Sequence, residues 1–174
     1  MVGWTRVHVR VNHDVSPAQA DPRATTASPI GDPATVALSF EEIAARLPAL
    51  TLPDVDVVYG IATGGIVPAS LVAYRLGRPL ELIAINFRRE DNSPQRPAPH
   101  LLTRARTPKP GARVLLVDDV AVTGQTLRLA QDAVLAGCTV TTLVMKGRAD
   151  IVVFPEVGTC VAWPWKVSGR QAAR

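Results

Sequence analysis

Two adjacent carboxylates at the end of an apolar run, followed shortly by Thr-Gly-x-Thr, carry the clearest chemistry in this sequence (residues 113–126, RVLLVDDVAVTGQT). Asp118 and Asp119 can accept hydrogen bonds from the vicinal hydroxyls of a sugar, or hold Mg²⁺ through water. Downstream, Ala121, Val122, Thr123, Gly124, Gln125 and Thr126 are mostly small or hydroxylated and lead into a stretch of helical periodicity. A helix N-terminus offers free N–H groups and the positive end of its dipole to a phosphate. Gly124 lets the backbone approach that phosphate, and Thr123 and Thr126 can add hydroxyl donors. A phosphorylated sugar fits both halves.

Positioning these groups requires a strand, a tight loop and a helix. Residues 113–117 are β-branched or aliphatic throughout, the pattern of a strand buried on both faces, and LRLAQDAVLA keeps helical spacing up to Gly137. The same arrangement occurs earlier: a buried strand at 55–62 delivers Thr63, Gly64 and Gly65 to a helix running to Gly77. Two such parallel strands would put two anion sites on one carboxyl edge, enough for a diphosphate and a monophosphate together. Further strands are expected at 80–87 and 139–146, the latter ending in Lys146 at that same edge. Ser39 and Glu42 form a capping box that opens a short helix through Leu47, stopped by Pro48. The fold class expected is α/β, a central parallel sheet flanked by helices with a small C-terminal hood, over residues 36–174. Residues 1–35 form an extension: 4–11 alternates like a half-buried strand, and 12–34 has linker composition. His8 and His13 at that strand's end read as solvated positions.

Between the third and fourth strands lies RREDNSPQRPAPHLLTRARTPKPG, with five arginines, one lysine and five prolines. It is too long for a passive connection and reads as a lid, a disordered segment or a solvated loop. His100 within it is ambiguous. The chain of 174 residues, 47% hydrophobic and 20% charged, suits one globular domain plus a tail. Its net charge of +4 is concentrated in that loop without interleaved aromatics, which favours a small polyanion over nucleic acid. Cys138 and Cys160 show no metal or disulfide spacing and read as reduced core or near-core thiols. With no signal pattern and no membrane-length apolar run, a cytoplasmic protein is expected.

The apolar run, acid pair and Thr-Gly-x-Thr together resemble the signature of the type I phosphoribosyltransferases. The capped helix, Gly-Gly-x-Val-Pro, Lys146 and the late Pro164-Trp165 are most similar to the bacterial xanthine-guanine (6-oxopurine) branch, over residues 39–165. The resemblance implies Mg²⁺-dependent transfer of phosphoribosyl from phosphoribosyl pyrophosphate (PRPP) to a purine in nucleotide salvage, releasing pyrophosphate. Asp118 and Asp119 would bind the ribose hydroxyls and metal, and residues 121–126 the 5′-phosphate. Thr63, Gly64 and Gly65 would hold the pyrophosphate. Arg88, Arg89, Arg96, Arg104, Arg106 and Lys109 would be lid groups that neutralise it as it departs. Lys146 would bond the base's exocyclic oxygen, with Val161 and Trp163 covering the base; Trp163 either stacks on it or belongs to the core. A homo-dimer or homo-tetramer is implied by analogy. Three positions depart from the branch. Val122 replaces an acid that assists proton movement, Cys160 replaces a stacking aromatic, and Lys166 stands where a metal-binding aspartate would follow Pro-Trp. Val122, the missing aromatic at Cys160, the basic charge and the N-terminal arm favour the alternative, a PRPP-binding regulator that has lost transfer.

Overall fold

The computed structural model of the protein describes residues 35–86, 97–102 and 105–166. The expected strand at 4–11, the linker at 12–34, and Arg88, Arg89, Arg96 and Arg104 lie outside the described residues. The strands are β1 (Thr35–Ala37), β2 (Val57–Ala62), β3 (Leu80–Asn86), β4 (His100–Leu101), β5 (Arg113–Ala121), β6 (Thr139–Gly147), β7 (Ile151–Val152) and β8 (Cys160–Ala162). The α-helices are α1 (Phe40–Arg46), α2 (Ile66–Leu76) and α3 (Gln125–Ala133).

Local chemistry sets the helix ends. The Ser39 side chain accepts from the Glu42 N–H at 3.2 Å while Glu42 Oε2 accepts from the Ser39 N–H at 2.6 Å, so two N–H groups at the start of α1 are satisfied reciprocally. Pro48 does not stop the chain abruptly. It sits in a 3-10 turn, Leu47–Ala49, continuous with α1, where its missing N–H leaves no partner wanting. α2 closes on Gly77 as its periodicity implies. α3 is shorter than expected: past Ala133 the chain turns, and the apolar residues Val134 and Leu135, 3% and 2% exposed, are core groups outside the helix.

Six strands form one sheet in the order β4-β3-β2-β5-β6-β7, parallel throughout except for β4, which is antiparallel to β3. β5 lies near the middle, and alternation divides its side chains between two cores. Leu115 and Val117 pack with Val58, with Ala69 and Val72 of α2, and with Trp163. Val114 and Leu116 pack with Tyr59, Ile61 and Ile83, and with Leu127 and Ala130 of α3. Each such aliphatic side chain, fully covered, stabilises the fold by about 1.5–3 kcal/mol, which fixes the strand that carries the acids. A separate parallel pair, β1 with β8, forms the C-terminal hood; β1 has only three residues, too few for periodicity to reveal it. Among the described residues no helix is long and apolar enough to cross a membrane.

Candidate active site

The acid pair sits inside the strand rather than past its end. β5 continues beyond its aliphatic run to Ala121, pairing Asp118 with Val144, Val120 with Lys146 and Ala121 with Gly147 of β6. Asp118 and Asp119 are each 7% exposed. On the other side, the β2–β5 register pairs Gly60 with Val117, which brings the end of β2 at Ala62 level with Asp119. The loop of Thr63, Gly64 and Gly65 therefore leaves β2 beside the acids, roughly 5 Å away, the spacing of neighbouring strands.

Close approach explains both glycines. A Cβ on Gly64 would stand 2.4 Å from Asp119 Oδ1, and one on Gly65 would stand 2.5 Å from the Val117 carbonyl oxygen. No side chain fits either gap. The Ala62–Thr63 peptide bond leading into this loop is cis. The second loop leaves the adjacent strand at the same edge. Gly124 has φ +71° and has no side chain with which to cap α3; the Gln125 N–H donates to Thr123 Oγ1 at 3.5 Å, and the N–H groups that follow it in the first turn are left for another acceptor. Thr123 and Gln125 are exposed, Gly124 and Thr126 half-buried, and Ala121 is buried.

Three residues that the motifs alone did not single out as ligand groups join this edge. Arg128 Nη2 donates to the Thr123 carbonyl at 3.0 Å, folding a guanidinium back onto the Thr-Gly loop. A cation in the first turn of a helix opposes the dipole, and that placement is the signal sequence reading could have used. Asn86 lies at the end of β3, two positions beyond the Ala62–Ala84 pair; its Oδ1 is buried with no partner among the described residues. Lys166, from the hood, places Nζ 2.7 Å from Asp119 Oδ2. The contact is an ion pair without hydrogen-bond alignment, since that oxygen has no hydrogen-bond donor.

The electrostatics of the pair are uneven. Burial, and then the charge of Asp119, push the Asp118 carboxyl well above its ordinary value, although its Oδ1 accepts the Asp119 N–H at 2.9 Å. Mg²⁺ needs converging ionised oxygens in near-octahedral order. Here one carboxyl is driven toward its neutral form, the other is paired with an ammonium, and no group of three His, Cys, Asp or Glu gathers among the described residues. The pair as found does not fit direct coordination of Mg²⁺ by both carboxylates.

On the hood side, Lys146 is half-buried and donates to the Thr159 carbonyl, beside β8. Val161 is half-buried against the core. Trp163 is 3% exposed and stacked on Trp165, centroids 5.1 Å apart at 7°, so it belongs to the core and has no open face for a base. Cys160 is exposed rather than in or near the core, and Cys138 is half-buried. The described lid candidates lie elsewhere. Arg106 ion-pairs with Glu81 at 3.1 Å, and its carbonyl accepts from the Tyr59 hydroxyl at 2.7 Å. Lys109, with Asp56, Tyr59, Glu81 and Arg106, lines a cavity of about 530 Å³ at the amino-terminal edge of the sheet, opposite the two loops. Arg106 and Lys109 are thus held away from the carboxyl edge. His100 is exposed on β4.

The fold and this paired-loop edge define a class, and comparison with known proteins agrees. The model of the phosphoribosyl transferase domain matches residues 42–166, and the chain belongs to that family. The orotate phosphoribosyltransferase of Sulfurisphaera tokodaii is 34% identical over 99 residues, 56% of this chain and 46% of the relative. That of Sphingopyxis alaskensis is 35% identical over 94 residues, 54% of this chain and 43% of the relative. The chain spans under half the length of these curated relatives. Among solved structures, the purine phosphoribosyltransferase of Pyrococcus horikoshii has a TM-score of 0.60 at 23% identity, covering 78% of this chain and 95% of that one. The likeness to that structure shows the fold.

Proposed function

We propose that this protein transfers the phosphoribosyl group of PRPP to a ring nitrogen of a nucleobase, a purine, with release of pyrophosphate. One observation carries the reading: the Gly64 loop is packed directly on the Asp119 carboxylate, while the start of α3, which Gly124 cannot cap, follows the adjacent strand at the same edge. A sugar between them would offer its hydroxyls to Asp119 and its 5′-phosphate to the N–H groups and hydroxyls of residues 123–126, with Arg128 alongside. Thr63, Gly64 and Gly65 would receive the diphosphate, and Asn86 offers a further polar partner. Arg88 and Arg89 keep the diphosphate role the resemblance gives them, and Mg²⁺ would enter with the diphosphate.

Displacement at the anomeric carbon builds positive charge on the ribose and negative charge on the leaving diphosphate. A fixed carboxylate on one side and fixed donors on the other stabilise that separation without reorganising at the moment of reaction. Lys146, at the end of β6 and tied to the hood at Thr159, would donate to an exocyclic oxygen of the base, and Val161 would cover it. A purine is the base that the resemblance implies, through Gly-Gly-x-Val-Pro, Lys146 and Pro164-Trp165.

A second reading, a PRPP-binding regulator without transferase activity, is favoured by Val122. Its side chain is 59% exposed in the loop where the resemblance expects a proton-transferring acid, and a hydrocarbon cannot transfer a proton. The test is to incubate the protein with PRPP, Mg²⁺ and, separately, guanine, xanthine, hypoxanthine, adenine and orotate, and to measure pyrophosphate. Release with a purine is the expected outcome. Release with orotate alone would correct the base, and PRPP binding without release for any base would establish the regulator.

A further inference from the structure

We propose that Lys166 is a built-in counter-ion for the acid pair, supplying from the chain itself the positive charge that a bound divalent ion would bring to Asp119, so that the unliganded protein holds no metal there. The inference deepens the reading of this edge as a sugar-phosphate site. It starts from a position where the resemblance leads one to expect a third carboxylate and the chain has an ammonium. Replacing Asp by Lys changes the local charge by two units, from three acids that must gather a cation to two acids of which one, Asp119, already has a counter-ion.

The hood delivers that ammonium by packing. β8 is held by β1, with Val161 paired to Val36. Trp163 is buried in the core, Trp165 stacks on it, and Phe40 at the start of α1 closes against Trp165 with centroids 6.1 Å apart. The Lys166 N–H then donates to the Trp163 carbonyl at 3.1 Å, which anchors its backbone just past the aromatic pair. The side chain reaches from this anchor to Asp119 Oδ2 at 2.7 Å. The Lys166 side chain is 39% exposed, whereas the Asp119 side chain it meets is 9% exposed, so the pair is a buried anion closed from outside by a half-exposed cation. A metal entering here would have to displace Lys166 from a carboxylate that has little other solvation. It would find only Asp118 as a second protein ligand, since no third acid, histidine or cysteine stands near among the described residues.

The experiment uses Mn²⁺ alone as the probe, titrated into the full chain without PRPP, with free Mn²⁺ read by electron paramagnetic resonance. The wild-type chain is expected to bind Mn²⁺ weakly. Lys166→Gln, which removes the charge and keeps the length, and Lys166→Asp are expected to bind it at least about tenfold more tightly, because a unit charge at contact distance is lost or reversed. Lys166→Arg should behave as wild type. The gain in Lys166→Gln should vanish when Asp119→Asn is added, which ties it to this carboxylate; thermal melts confirm that each variant is folded. Tight, stoichiometric binding by wild type that Asp119→Asn abolishes, or a Lys166→Gln variant that binds no better than wild type, would overturn the proposal. Because no PRPP or base is present, the result is independent of the pyrophosphate-release assay, and either reading can fail without the other.

Discussion

The two ends of the central sheet use aspartate in opposite ways. At the amino-terminal edge, Asp54 and Asp56 face Arg113, the first residue of β5, with Nη1 at 2.6 Å from Asp54 and Nη2 at 2.7 Å from Asp56; Arg78 adds a contact to Asp54 at 2.9 Å. All four side chains are open to water. Hydrogen bonds from Arg113 hold the Asp56 carboxyl down to about 2, and they also lower that of Asp54. At the carboxyl edge the same strand carries Asp118 and Asp119 under cover, where burial raises Asp118 and, among the described residues, one lysine is the whole of the opposing charge on Asp119. Acids fully answered by arginines in solvent tie strands together. Acids that are covered and under-partnered keep an appetite for a ligand's hydroxyls, and a perturbed carboxyl at a loop-lined edge marks function.

That contrast can be broken at either end, and the largest effect is expected at the carboxyl edge. Replacing Asp118 and Asp119 together by asparagine should lower turnover by about 10²-fold or more in the pyrophosphate assay, the scale of losing fixed electrostatic stabilisation. The matching change of Asp54 and Asp56 should leave turnover unaltered and show only as a lower melting temperature, small because exposed ion pairs contribute little. Next in size is Gly64→Ala. Its new methyl would collide with Asp119 Oδ1, which stands 2.4 Å from the Cβ position, and PRPP affinity measured by calorimetry should fall by at least about tenfold. Arg128→Ala should weaken PRPP binding about tenfold through loss of one charge-assisted contact, with Arg128→Lys recovering part of it.

The smallest effects concern pH, and they have opposite signs at the two edges. Asp56 has a folded pKa of about 2 against an ordinary value of 3.8, so its stabilisation is present above 3.8 and is lost as pH falls through about 2. Asp118 is raised above 3.8, so the folded state holds the extra proton and stability declines as pH rises from 3.8 through the shifted value. Denaturant melts across pH should show Asp56→Asn flattening the acid limb and Asp118→Asn flattening the decline above it. A wild-type profile in which Asp118→Asn changes nothing would mean that its carboxyl is not buried as described.

Much of the frame was legible in the residues. The Ser39–Glu42 box, the aliphatic runs of β2, β5 and β6, Gly77 and the two glycine loops are signals carried within a few residues, because caps, alternation and backbone freedom act over one or two turns of chain. The acid pair and the Thr-Gly loop were readable as neighbours for the same reason, since both belong to one strand-loop-helix unit. Trp163 was not decidable, because a tryptophan near Pro-Trp suits a base or a core equally until the packing of α1 and the hood is known. Arg106 and Lys109 were misjudged as lid groups, because composition cannot say which edge of a sheet a long loop's far end returns to.

From its sequence alone, then, this chain determined where each loop begins and that two glycine-bearing turns follow parallel strands, all consequences of local hydrogen bonding and hydrophobic period. Only the tertiary structure decided that the Gly64 turn rests on Asp119, that Arg128 folds over the second turn, and that Lys166 closes on the acids from the hood. Those contacts join residues tens of positions apart, and strand order, register and core packing alone determine which distant charges meet.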